Sequence, residues 1–473
     1  MNVLLINPQS PNVVRGSLPP VIEDDTGVYP PLGLLYVAAH AQTVRDCNVT
    51  VLDCQAEGIT HEMLGSRISE ISPDVVGVQV MTFTLIDAVI LAKILRQLMP
   101  EAFIVFGGPH ATIYAAETVQ ISEIDAVIPG EGEYIFAALL KALAEKQKPE
   151  SVKGVVTEKN LGSTVTWDYI ADLDQLLMPA RGLIDSKKYT SPMVKKNPLT
   201  TIMSSRGCPA RCIFCDRPQM GKHFRKRSAE NVVDEMQYCC KEFGIGEFIF
   251  YDDTFTIDKQ RVLDVCRIIA ERKLKLHWDI RARIDTVTEE MIYALRDAGC
   301  HRIHFGVETG SPRIQKRLQK NLDLERVKEV FSITKKAGIE TLGYFMIGCP
   351  DETKEDMKQT FDFIQSLPMD YAHISVFTPY PGTRIYLEAL ETGFYERDYW
   401  KEFAENPSPE FSPRYWNQYF SDKELLVLLK KSYARFYSRP SYLVSRLLKT
   451  RSLDELSRKM ILGFKLLKST YQK

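Results

Sequence analysis

The segment SSRGCPARCIFCDRP sets Cys208, Cys212 and Cys215 with three and then two residues between them. Three thiolates on one loop can wrap a single metal ion or a single cluster. Zinc asks for a fourth ligand, and His223, eight residues past Cys215, could supply it. A four-iron, four-sulfur (4Fe-4S) cluster held by three cysteines instead leaves one iron without a protein ligand. A small molecule could chelate there. The third reading is three cysteines that merely fill a core. Cys239, Cys240 and Cys266 fall in helical stretches and read as core, whereas Cys349 stands at a strand end.

Such a loop needs a scaffold, and six apolar runs supply it: TTIMSS, EFIFYDD (247–253), HWDIRARI (277–284), RIHFGVE (302–308), TLGYFMIG (341–348) and AHISVF (372–377). Helical stretches fill the gaps. Six strand–helix units predict a partial (β/α)6 TIM-type barrel, with a second doubly wound sheet as the competing fold. Barrel enzymes build their sites at the carboxyl ends of strands. Those ends carry Asp252 and Asp253, Arg281 and Arg283, Glu308, Gly348 and Pro350, and then Pro379, Pro381 and Gly382. An inward arginine is costly to bury without an anionic partner. Each end also has a plain reading: Asp252 as a helix cap, Arg283 paired with Asp285, Pro381-Gly382 as a turn.

CxxxCxxC with an aromatic, Phe214, before its last cysteine resembles the radical S-adenosylmethionine superfamily over roughly residues 195–395. The resemblance implies that the unligated iron chelates S-adenosylmethionine and that the reduced cluster cleaves it to a hydrogen-abstracting radical. It makes Cys208, Cys212 and Cys215 the cluster ligands. It also assigns Phe214, Asp252, Asp253, Arg283, Glu308, Gly348 and Pro350 to S-adenosylmethionine. In that assignment the aspartates accept from the methionine ammonium, a charge-assisted contact. Glu308 accepts from the ribose hydroxyls, and the Gly348–Pro350 backbone approaches the adenine.

The first 145 residues carry a different pattern. Five β-branched runs, VLLIN, VTVLD, DVVGVQV, FIVFGG and DAVIPG, alternate with helical stretches. Near-continuous apolar strands are buried on both faces, so a doubly wound, Rossmann-like parallel sheet is expected. Ligands of such sheets lie beyond the strand ends. Here those ends hold Thr82 and Thr84, then Gly107, Gly108, Pro109 and His110, then Gly130, Glu131 and Glu133. A five-stranded domain ahead of a radical barrel resembles the cobalamin-binding group, which implies that these residues bind cobalamin. The Asp-x-His-x-x-Gly motif, whose histidine ligates cobalt in the mutase-type domains, is absent. His110 is then either a cobalt ligand or a hydrogen-bonding turn residue. No GxGxxG follows the first strand, which weakens a dinucleotide reading.

Domain boundaries are expected at 1–145 (cobalamin domain), 146–198 (linker), 199–395 (barrel) and 396–473 (helical extension). Lys plus Arg total 60 and Asp plus Glu 61, a balance that argues against a surface built to grip nucleic acid. The balance is uneven along the chain. From Ser421 onward there are 13 basic and 4 acidic residues. This basic, apolar tail reads as a helical cap on the barrel or as peripheral contact with an anionic membrane. No apolar run of membrane-spanning length and no signal-peptide pattern is found, so a cytoplasmic or membrane-peripheral location is expected.

Together these readings predict a cobalamin-dependent methyltransferase acting at an unactivated carbon of a small-molecule or lipid substrate, fed by an electron donor such as flavodoxin or ferredoxin. Oxidative cyclisation of the anaerobic magnesium-protoporphyrin cyclase type is the alternative. A zinc-bearing binding protein is the alternative of another class.

Overall fold

The computed structural model describes residues 1–16, 27–162, 166–215, 220–416, 418–440 and 442. The first five apolar runs form parallel strands β1 (Asn2–Asn7), β2 (Asn48–Asp53), β3 (Val75–Gln79), β4 (Phe103–Gly107) and β5 (Ala126–Ile128), in the order β2-β1-β3-β4-β5. Alternate side chains feed two separate cores. Leu4, Ile6, Val76 and Val78 lie in one, Val3, Leu5, Val75 and Val105 in the other. A sheet coated on both faces explains why the strands read as unbroken apolar runs. The strand order reverses between β1 and β3, which opens a crevice at their carboxyl ends.

The second sheet contains β6 (Leu199–Ile202), β9 (Glu247–Phe250), β10 (His277–Ala282), β11 (Cys300–Glu308), β12 (Glu340–Ile347) and β13 (Tyr371–Val376). Two short strands, β7 (Ser205–Arg206) and β8 (Arg225–Lys226), pair antiparallel and clip the intervening loop closed. The six long strands are all parallel and follow chain order from β6 to β13. Such order is that of a winding barrel; a doubly wound sheet would reverse direction within itself. Burial along β12 alternates residue by residue between half-buried and buried. Outward residues such as Phe305, Phe345 and Ile374 join the helices in the main core. Their neighbours face a partly open interior.

Residues 146–198, expected as a linker, are packed onto both sheets. The Tyr189 hydroxyl donates to Asp53 at 2.9 Å, and Val156 forms an antiparallel bridge with Val127. The anchors are single apolar or aromatic residues without a period, so no element was legible there. Farther along, Trp400 and Phe403 share a core with Val78 and Tyr114. The extension therefore packs against the amino-terminal sheet as well as the barrel.

The helix Asp422–Tyr437 opens with a capping box between Ser421 and Glu424. It lies along β13. The Tyr433 hydroxyl donates to Ile374 O at 2.8 Å and accepts from Ile374 N at 2.9 Å, and Tyr437 treats Ala372 in the same way. Of the two readings of the tail, its first helix takes the cap. The rest of the basic stretch, expected at a membrane, falls mainly at 443–473, outside the described residues. Among the described residues no helix is long and apolar enough to cross a membrane.

Candidate functional site

The cysteine loop is held at both ends and in the middle. Gly207 adopts φ +84°, and a Cβ there would meet His223 O at 2.2 Å. Only glycine fits where the loop's two ends cross. Gly207 N donates to Asp253 at 3.1 Å, and the Ile213 backbone bonds Leu318 and Ile385. Cys208 is half-buried, Cys212 buried and Cys215 exposed. Cys208 Sγ lies 4.0 Å from the Thr254 hydroxyl, and Cys212 Sγ accepts from Arg283 Nη1 at 3.4 Å. Desolvation, then Asp253, then the other two thiols push the Cys215 thiol up to about 12. The three sulfurs therefore sense one another.

Among the described residues no three His, Cys, Asp or Glu side chains converge on one metal ion, and His223 is exposed. A zinc site needs its ligand atoms about 2.0–2.3 Å from one point. A four-iron cluster takes its thiolates on separate irons. The donor set, with the Arg283 guanidinium beside it, fits the cluster and not the zinc centre.

The strand ends divide into groups that face this loop and groups that do not. Asp252 is fully buried and spent on its own chain. Its carboxylate accepts from Ser204 N at 2.7 Å and from the Ser204 and Ser205 hydroxyls at 2.6 and 2.5 Å. Three of its roughly four acceptor positions are therefore taken within the chain, which leaves it a weaker candidate for an ammonium group than its neighbour. Asp253 is exposed and bonds only Gly207 among the described residues, so the more available carboxylate is this one. Arg283 pairs with Asp285 through two bonds of 2.8 and 2.9 Å while it also reaches Cys212, so the pairing with Asp285 does not take it away from the cysteine loop.

Glu308 ends β11 at φ +74°, a conformation that costs a non-glycine residue about 1–3 kcal/mol. Its carboxylate is buried against Lys320 Nζ at 2.9 Å. Lys320 also sits 6.0 Å from the centre of the half-buried Phe214 ring. A Cβ on Gly306 would collide with both partners, at 2.5 and 2.9 Å. Gly306 is thus the space the pair occupies. Lys320 was not singled out from sequence; only its position in a helix-ending turn, after Leu318, was there to be read.

Gly348 has φ +75°, but its Cβ side faces Leu425 of the carboxyl-terminal helix at 2.8 Å. The glycine admits that leucine on its Cβ side. Pro350 is buried behind it. Cys349 is buried and its thiol is pushed well up by burial, so it belongs to the core.

At the amino-terminal crevice, Gly107 is half-buried, and a Cβ there would meet only Ile128 O at 3.7 Å. Nothing in the protein requires glycine at that position. An open cradle of this kind suits a bulky ligand such as a corrin. Thr84 and the exposed Met81 lie at its rim.

Other expected cobalamin residues serve the fold. Gly108 has φ +102°, and a Cβ would meet Val80 O at 2.9 Å. Pro109 starts the short helix Pro109–Ile113. His110 is wholly enclosed, with Nδ1 3.2 Å from the buried Thr82 hydroxyl, and burial holds its pKa down to about 3. This enclosure and the Thr82 contact fit a hydrogen-bonding turn residue. Gly130 lies under the Trp167 ring, 2.3 Å from where a Cβ would be.

A comparison of two alanine variants tests this division. Gly108→Ala is expected to cost about 1–3 kcal/mol in urea melts, from its glycine-only backbone. Gly107→Ala should melt like the parent yet bind hydroxocobalamin more weakly, read from the visible spectrum. Equal binding by Gly107→Ala would misplace the crevice.

Glu131 and Glu133 were expected to accept from cobalamin amides. Instead they face arginines of the cysteine loop's clip. Arg206 reaches Glu131 at 3.1 Å and Glu133 at 2.5 Å, and Arg225 grips both oxygens of Glu131 at 2.8 Å. All four are nearly or fully buried. Burial works against the charged form of Glu131, but the Arg225 hydrogen bonds and the Arg206 charge hold its pKa below the usual range. A second buried group lies alongside, with Glu235 between Arg181 at 2.6 Å and Arg227. The arginines were visible in the sequence, but nothing there named their partners.

Residues 202–364 match the family model described as the Radical SAM superfamily, and residues 20–140 match the B12 binding domain. An uncharacterized methyltransferase of Pyrococcus horikoshii is 33% identical over 448 residues, covering 94% of each chain. The anaerobic magnesium-protoporphyrin IX monomethyl ester cyclase of Cereibacter sphaeroides is 27% identical, over 87% of this chain and 68% of its own. The solved structure of the cobalamin-dependent S-adenosylmethionine radical enzyme OxsB superimposes with a TM-score of 0.74. It covers 99% of this chain and 72% of that one at 19% identity.

Proposed function

The chain belongs to the cobalamin-dependent radical S-adenosylmethionine enzymes, and we propose that it is a methyltransferase acting at an unactivated carbon of a small organic acceptor. One juxtaposition supports this best. Arg206, two residues before the first loop cysteine, is bolted to Glu131 and Glu133 in the loop after β5. The cysteine loop and the loop after β5 are therefore neighbours. In this reading residues 1–145 form the cobalamin unit and 199–395 the barrel.

When bound, the cofactors supply one-electron chemistry at a C–H bond and a transferable methyl group; the protein supplies position and a dry site. Cys208, Cys212 and Cys215 would hold the cluster. Arg283 lies against Cys212 and stabilises thiolate charge. Asp253 offers an acceptor to an ammonium group. The Lys320–Glu308 pair presents a cation beside Phe214 and a fixed carboxylate. Gly107 leaves room for a corrin face. A flavodoxin or ferredoxin would deliver the electrons.

The test incubates anaerobically reconstituted protein, loaded with hydroxocobalamin, with methyl-labelled S-adenosylmethionine and cell extract. The expected result is 5′-deoxyadenosine together with a labelled small molecule in the mass spectrum. The resemblance to the cyclase gives the second reading its weight. An oxidised product without label would move the chain to that chemistry and overturn the methyltransferase reading.

A further inference from the structure

The inward face of the barrel carries a belt of polar groups that the cofactor sites do not use. Ile280, Ala282, Ile303, Phe305, Phe345 and Ile374 pack outward into the helical core. Side chains alternate along a strand, so Arg281, His304, Tyr344 and His373 face the interior. All four are half-buried. Register places Arg281 opposite His304 and Tyr344 opposite His373, and His304 Nδ1 lies 3.0 Å from the Tyr344 hydroxyl. The belt thus runs unbroken across four strands, from β10 to β13.

Its charge is arranged for a guest. Arg281 is fixed by a 2.6 Å bond to Phe250 O and lies 4.8 Å over the Tyr251 ring. Among the described residues no carboxylate comes within ion-pairing distance of it. Asp279, on the same strand, is engaged by His304 at 3.5 Å and Arg302 at 4.0 Å, and Arg302 also holds Glu340 at 3.0 Å. Burial keeps the pKa of His373 down to about 4 and lowers that of His304. Each imidazole carries at least one N–H in either protonation state.

A guanidinium held on an aromatic ring, facing a half-open space and lacking a counter-ion, is costly unless an anion arrives. Arg283 stands two residues nearer the strand end and already touches Cys212. Arg281 therefore lies roughly 6–7 Å deeper along the strand, at about 3.3 Å per residue.

We propose that this belt is an anion subsite for the acceptor substrate. A carboxylate or phosphorus oxyanion of the acceptor docks on Arg281, and the His373 imidazole donates a further hydrogen bond to it. The proposal rests on the methyltransferase reading and narrows its substrate to an organic acid whose acid group enters the barrel first. Tyr251, Tyr344 and Met346 offer its body an aromatic and apolar wall.

The test uses the full chain with its cluster, reconstituted anaerobically. It is titrated by calorimetry with benzoate, phenylphosphonate and, as the neutral control, benzamide, each with and without saturating S-adenosylmethionine. Both anions are expected to bind about ten-fold or more tighter than benzamide, as hydrogen bonds to a charged group imply. S-adenosylmethionine should not displace them. Arg281→Met and His373→Leu should each weaken anion binding several-fold while leaving the affinity for S-adenosylmethionine unchanged.

Three results would overturn the proposal: anions that bind no better than benzamide, anions displaced by S-adenosylmethionine, or variants that bind anions like the parent. Displacement would hand Arg281 to the carboxylate of S-adenosylmethionine instead. The labelling experiment separates the two levels. A labelled neutral product sinks the subsite alone, whereas intact anion binding without any label sinks the methyltransferase reading alone.

Discussion

A Cys212→Ala variant is expected to fold, to take up little iron on anaerobic reconstitution and to form no detectable 5′-deoxyadenosine. Cys212 is the buried member of the three, and the Arg283 guanidinium is its partner. Alanine fills most of the same volume, so the loop, pinned at Gly207 and Ile213, keeps its course. What disappears is a thiolate in the most desolvated position. The expected loss is total because only two of the three proposed cluster thiolates remain.

Arg283→Met tests the same point from the next layer outward. Removing the partner of a metal ligand costs roughly 10–100-fold in metal affinity or activity. Iron content by colorimetry and 5′-deoxyadenosine by chromatography read both variants. Continued 5′-deoxyadenosine formation by Cys212→Ala would refute the ligand assignment.

Arg206→Met is expected to lower stability by about 3–5 kcal/mol, because it strands buried carboxylates that no longer have a partner. Glu133 loses the one ion pair it makes among the described residues, while Glu131 keeps Arg225. The combined change Arg206→Met, Glu133→Gln should therefore be less destabilised than Arg206→Met alone. Urea melts of the four-member cycle measure the coupling.

The same pairs set an acid limit. A carboxylate whose pKa is held low when folded contributes stability that is present above its unfolded pKa. That stability is lost as pH falls through the folded value. Glu131 is such a group, so the parent should weaken on acidification below about pH 4.3, the unperturbed value for glutamate. The Glu131→Gln variant should show a flatter profile there. A parent and variant with the same slope would show that these pairs do not carry the acid sensitivity.

What could be read from the sequence is what is local in the chain. Three cysteines on one loop declare themselves, since their spacing alone sets what they can wrap. Unbroken β-branched runs declare strands buried on both sides. The fates of polar strand ends were not legible, because each depends on a partner far away in sequence. Asp252 looked like a ligand, but Ser204 and Ser205, on the neighbouring chain segment, take three of its acceptor positions. Gly348 looked like room for a cofactor, and its Cβ side makes room for Leu425. Glu131 and Glu133 point at the expected crevice but are answered by arginines more than 70 residues away. Arg283 was the exception, since its competing partner, Asp285, lay within two residues.

The two tyrosines on the last described helix have a consequence for experiments that shorten this protein. Among the described residues the six-stranded sheet stops at β13, so the outer side of that strand holds backbone donors and acceptors that no seventh strand there receives. Tyr433 and Tyr437 occupy those of Ile374 and Ala372 with phenol groups, which can answer both a donor and an acceptor. Cut the chain near Ser421 and that rim becomes a template on which another molecule can extend the sheet. A truncated protein that pellets or sticks to vesicles would then be reporting bare backbone rather than a lost lipid anchor. A fair version of that experiment ends the chain after Tyr442, where the rim stays sealed and only the remaining basic residues are removed.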